Sequence, residues 1–120
     1  MNAADDYLDD DLVVVHTVLG NASAYVLMLR GTTSSWNAPA LEAHFERAIT
    51  HGIAVIVDCG ALRFGDSNLL RLLLHTRALR QLVLVGPIST TFTHRLAVTG
   101  TAAHFPITPT LTRALALVAS

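Results

Sequence analysis

The sequence predicts an α/β domain, a small and largely parallel but mixed sheet of about five strands with about four helices packed against it. Three observations carry this. Short apolar runs such as Ile53 to Val57 and Leu82 to Val85 are too continuous for half-exposed strands and too brief for helices, so they belong in a sheet covered on both faces. Between such runs lie stretches with apolar residues at helical spacing, punctuated by glycine and proline. The first two runs are instead joined by Gly20-Asn21-Ala22-Ser23, turn chemistry that makes a hairpin and hence one antiparallel pair.

Leu12 to Val18 and Ala24 to Leu29 are the hairpin strands. After Gly31-Thr32-Thr33-Ser34-Ser35, Asn37 is placed to cap a helix whose first turn tolerates Pro39. Leu41, Phe45, Ala48 and Ile49 share one face of it, and Gly52 ends it. Strand Ile53 to Val57 and a loop lead to Asp66-Ser67, where a leucine-rich helix starts and runs to about Arg80. Strand Leu82 to Val85 follows, then a Gly86-Pro87 turn and a helix from Ser89 to Thr99 with Gly100 as terminator. A short strand near His104 to Ile107 and a helix from Pro109 to Ala119 close the chain. The order β-β-α-β-α-β-α-β-α implies right-handed crossovers between parallel strands.

At 120 residues one domain suffices, spanning 12–119. Residues 1–11 hold five of the nine acidic side chains and read as a flexible, solvated tail, which leaves the rest mildly basic at +4. Lysine is absent while arginine and alanine abound, a composition common in GC-rich bacterial genomes. No apolar run is long enough to span a membrane, and the N-terminus lacks a signal-peptide layout, so a cytoplasmic protein without membrane insertion is expected. The single Cys59 forms no internal disulfide and reads as a buried hydrophobe.

Ser67 is the chemistry candidate that stands out. A serine at a helix start lies among unpaired backbone N–H groups and at the positive end of the helix dipole, where an oxyanion or phosphate is stabilised. Asp and Ser are also preferred helix caps, so the pair could serve only to begin the helix. Gly60 to Ser67 has the spacing of a phosphate-binding loop, but Asp66 stands where lysine is needed and would repel phosphates. Ser67 lacks the second glycine of a nucleophile elbow, and no triad partner is recognisable. No two histidines sit at metal-ligand spacing; His44 and His51 lie about 10 Å apart along a helix, too far to share an ion. The arginines are dispersed without interleaved aromatics, which argues against nucleic-acid binding, and Trp36 and Tyr25 read as packing residues. No enzyme, metal or cofactor site emerges.

The stretch Ile53 to Leu74 resembles the signature of the STAS domain, in which an apolar strand ending in Asp leads through an aliphatic-x-Phe turn to Asp-Ser and a helix. Leu82 to Pro87, Arg95-Leu96-x-x-Thr99-Gly100, Phe105-Pro106-Ile107 and Ala114-Leu115 resemble the family's usual close, so the likeness extends over residues 12–119. It implies an anti-sigma factor antagonist that binds a GHKL-type serine kinase anti-sigma factor until Ser67 is phosphorylated and so regulates sigma-factor-dependent transcription. It makes Ser67 the phosphoacceptor, flanked by Asp66, Asp58 and Ser34. Asn68, Arg71 and His75 then share one face of the following helix, with Leu70 or Leu74 partly exposed as a partner anchor. Two differences stand out: Gly31-Thr32-Thr33-Ser34 occupies the place of the family's Gly-Glu-aliphatic-Asp, and Asn68-Leu69 follows the serine where Ser/Thr-Gly is usual. They leave a second reading, a STAS subunit that is never phosphorylated and serves a transporter ATPase or regulatory assembly. Homodimerisation stays open.

Overall fold

The computed structural model describes residues 6–21 and 23–119. Six strands form one sheet in sequence order: β1 (Tyr7–Leu8), β2 (Leu12–Leu19), β3 (Ala24–Thr32), β4 (Ala54–Phe64), β5 (Leu82–Val85) and β6 (Ile107–Thr108). β1, β2 and β3 pair antiparallel, whereas β3 to β6 are parallel. Each parallel step is bridged by a helix: α1 (Ala38–His51), α2 (Ser67–Leu79) and α3 (Thr90–Val98). Because the order never reverses, right-handed crossovers put all three on one face. The larger core lies there, with Leu27, Phe45, Val57, Leu73, Leu84 and Phe92 among its members. The last helix, α4 (Leu111–Ala119), covers the other face over Val26, Ile56, Val83 and Val85.

The mixed α/β architecture is the expected one, with one strand more. That strand corrects the reading of residues 1–11 as a tail, of which 1–5 lie outside the described residues. Tyr7 and Leu8 pair with Val14 and Val13, and Tyr7 packs against the core. Asp9 organises the turn that follows: it accepts from the Asp11 and Leu12 N–H groups (2.6 and 2.7 Å) and from the Tyr7 hydroxyl (2.6 Å). The Tyr7 hydrogen bond, aided by the backbone donors, holds the Asp9 carboxyl below its usual range. Asp9 therefore has partners that composition does not reveal.

β4 continues seven residues beyond the expected end, to Phe64, which shortens the loop before α2 to Gly65-Asp66. β5 pairs with β4 only as far as Asp58, so beyond that point β4 is hydrogen-bonded to β3 alone and its sequence ceases to be continuously apolar. The last strand is Ile107–Thr108, and Ala102–His104 is a short 3-10 turn. Asn37 stands at the start of α1 without capping it: its side chain accepts from the Ser34 N–H (2.9 Å) and donates to the Thr32 carbonyl (3.2 Å), fixing the β3–α1 loop.

Cys59 is buried on the helix-covered face. Burial, and secondarily the Asp58 charge, pushes its thiol up to about 12. An exposed thiol titrates at about 8.5, so the native state keeps a proton that the unfolded chain releases. This contribution to stability is full below the unfolded value and fades as pH rises toward the folded one. At neutral pH a disulfide reagent is expected to modify Cys59 only after unfolding; rapid reaction of the native thiol would contradict its burial.

Candidate functional site

The start of α2 is built by contacts distant in sequence. Asp66 is extended (φ −85°, ψ −179°) and caps the helix, its Oδ1 accepting from the Leu69 N–H at 2.9 Å. The same oxygen accepts from the Thr33 hydroxyl (3.0 Å), while the Asp66 N–H donates to Thr33 Oγ1 at 2.8 Å. Thr33 is 1 % exposed, and its own N–H donates to the Phe64 carbonyl at 3.0 Å. A buried hydroxyl thus clips the β3–α1 loop to the α2 cap. From the other side Arg95 of α3 donates to the Gly65 carbonyl (3.1 Å) and lies 5.8 Å from the Phe64 ring centroid, a cation–π distance. Gly65 presses against Phe92 so closely that a Cβ there would come within 2.7 Å of the ring.

On this braced pedestal Ser67 is exposed at the first helical position. Arg71 and His75 follow at intervals of four, both exposed, so the three form one stripe on α2. Arg71 donates to Glu42 of α1 (2.7 Å) and to Asn68 Oδ1 (2.8 Å), while His75 lies 3.9 Å from Glu46. Asn68 is half-buried, and its Nδ2 has no partner. Ser34 is half-buried beside Thr33, on the loop clipped to the cap. Ser67, Asp66, Ser34, Asn68, Arg71 and His75 therefore all belong to the α2 start or its exposed flank.

Three assignments change. Leu70 is 6 % exposed and so is not a free anchor, whereas Leu74 is half-buried, packing against the core while keeping part of its surface accessible. The wide leucine arc is occupied on two sides, because α2 packs on the sheet and also alongside α1. Asp58 does not flank Ser67. Val57 and Cys59 point into the core under α1 to α3, whereas Asp58 shares the opposite face with Ile56 and lines a cleft there. Trp36, read as a packing residue, is 79 % exposed. It lies on the clipped loop between Ser34 and Asn37, and Phe64 at the cap is 37 % exposed. The sequence signal for it was a Trp in a run of small polar residues, where no helical or strand period could bury it.

The fold is that of the STAS domain as found in anti-sigma factor antagonists of known structure. No protein-family model and no curated protein matches the chain. Among solved structures, an anti-sigma factor antagonist from Mycobacterium paratuberculosis superposes with a TM-score of 0.77 at 24 % identity, covering 94 % of this chain and 98 % of that one. The anti-sigma factor antagonist SpoIIAA in its unphosphorylated form gives 0.73 at 20 % identity, covering 88 % and 96 % of the two chains. The Bacillus cell fate determinant SpoIIAA in its phosphorylated form gives 0.66 at 20 % identity over 88 % and 98 %. Among the described residues no helix is long and apolar enough to cross a membrane, and no group of three or more His, Cys, Asp or Glu side chains gathers.

Proposed function

We propose that this chain is an anti-sigma factor antagonist that docks a serine kinase anti-sigma factor of the GHKL type over the α2 start and is released when Ser67 is phosphorylated. The observation that carries the reading is the exposed Ser67 hydroxyl at a capped helix N-terminus, braced by Thr33 and Arg95. A rigid display favours a docking partner, because little order has to be imposed on binding. The fold shared with a protein solved in both phosphorylated and unphosphorylated forms supports it. Incubation with the cognate kinase and ATP, followed by intact mass measurement of wild type and Ser67→Ala, tests it. A phosphate added equally to both proteins would remove Ser67 from the mechanism.

Trp36 is the docking anchor in this reading. Exposed tryptophan is costly to leave in water and is enriched among residues that dominate interfaces. Trp36→Ala is expected to weaken partner binding by roughly 2 kcal/mol, about thirtyfold, with no loss of thermal stability. Trp36 is the sole tryptophan, so its fluorescence also reports docking directly. An unchanged affinity in Trp36→Ala, or emission that stays water-like in the complex, places the interface elsewhere.

Ser34 favours a second reading. It supplies a hydroxyl where the resembled family carries a carboxylate, consistent with a binding subunit that is never phosphorylated, as in a transporter ATPase or regulatory assembly. No mass shift with kinase, together with a stable stoichiometric complex with a purified candidate subunit, would select it.

A further inference from the structure

The face of the sheet opposite Ser67 holds a cleft of about 620 Å³, a volume within the range of small-molecule sites. α4 covers this face over Val26, Ile56, Val83 and Val85 but leaves Val13, Val15 and Met28 half-buried along one wall of the cleft, while Leu111 and Val85 form the other. Glycine and alanine at 60, 61 and 86 keep the floor low, and a Cβ on Gly60 would already stand 3.2 Å from the Asp58 carboxylate. Asp58 is the acid of the cleft. It is half-buried, its Oδ1 accepts from the Gly60 N–H at 2.9 Å, and no cation pairs with it among the described residues. Arg30 lies at the exposed rim, likewise without an ion-pair partner among the described residues. A half-buried carboxylate without a counter-ion among the described residues, facing apolar walls beside the end of β5, matches one ligand chemistry: an ammonium group on an apolar chain.

We infer that this cleft binds a small amphipathic amine, its ammonium on Asp58 and its chain against Val13, Val15 and Met28. The site is independent of phosphorylation at Ser67, and its test makes no use of the partner. The uniformly labelled full chain is titrated with hexylamine, hexanol and hexanoate while its amide NMR spectrum is followed. Hexylamine is expected to shift Val15, Met28, Asp58 and Ala61 and to bind at least about tenfold more tightly than the other two. Asp58→Asn, which keeps the acceptor for Gly60, is expected to erase that preference, and Val15→Phe to block the cleft. The dispersion of each variant's spectrum establishes that it is folded. L-norleucine separates the two sources of an ammonium: binding at least as tight as that of hexylamine assigns Arg30 to a carboxylate and makes the ligand an amino acid, whereas weaker binding makes it a simple amine. Equal affinity for hexanoate or hexanol, a preference that survives in folded Asp58→Asn, or shifts confined to other faces would overturn the site.

Discussion

Under the proposed function, protein phosphorylated at Ser67 is expected to bind its anti-sigma factor partner about a hundredfold more weakly than the unmodified protein. The modification adds about −1.5 to −2 charges next to Asp66. At about 5 Å and an effective dielectric near 20, each pair of unit charges repels by roughly 3 kcal/mol before screening. The helix N-terminus offsets part of this, so the modified chain stays folded. A docked partner has no such offset and must desolvate the dianion. The nearest cation on the stripe, Arg71, is already held by Glu42 and Asn68, and recruiting it would give up a link between α1 and α2. Calorimetric titration of the partner with unmodified, phosphorylated and Ser67→Ala protein measures the effect. Wild-type-like affinity is expected for Ser67→Ala, and equal affinities for modified and unmodified protein would dispose of the switch.

Gly31→Ala is expected to lose about 3 kcal/mol of stability, a fall in melting temperature of roughly 10 °C. Gly31 has φ +105°, a region that side chains resist, and a Cβ there would sit 2.0 Å from the Asp11 carbonyl oxygen. That oxygen accepts from the Thr32 N–H at 2.8 Å. The methyl group therefore strains the backbone, by about 1–2 kcal/mol, and parts a hydrogen bond worth about 1 kcal/mol. Because Thr33 is two residues on, the damage should also reach the α2 cap. Thermal unfolding followed by circular dichroism settles it, since a change below about 1 kcal/mol would mean that the Asp11 turn simply moves aside.

The layout of strands and helices was legible because its signals are local. Leu82 to Val85 are all buried, as an unbroken apolar run requires, and Leu41, Phe45, Ala48 and Ile49 line the buried face of α1. Asp66-Ser67 begins α2 because a cap preference acts within three residues. What escaped depends on neighbours far along the chain. β4 outruns its apolar stretch because β3 continues beside it while β5 does not. Asp9 gains order from the Tyr7 hydroxyl and from backbone donors, which charge counting treats as solvent. Asp58 was read from a linear motif, and alternation along β4 turned it to the far side. The α2 wheel showed which residues are apolar but not that α1 claims a second flank.

The hydrogen bonds between Thr33 and Asp66 join residues 33 positions apart. A chain still emerging during synthesis, or one clipped within the hairpin, would carry the Asp-Ser motif in its covalent structure without this support for its shape. Under the proposed function, recognition of the serine is thereby tied to completion of the tertiary structure: a kinase that requires the braced geometry would ignore nascent and damaged copies, and the signal would count intact molecules only.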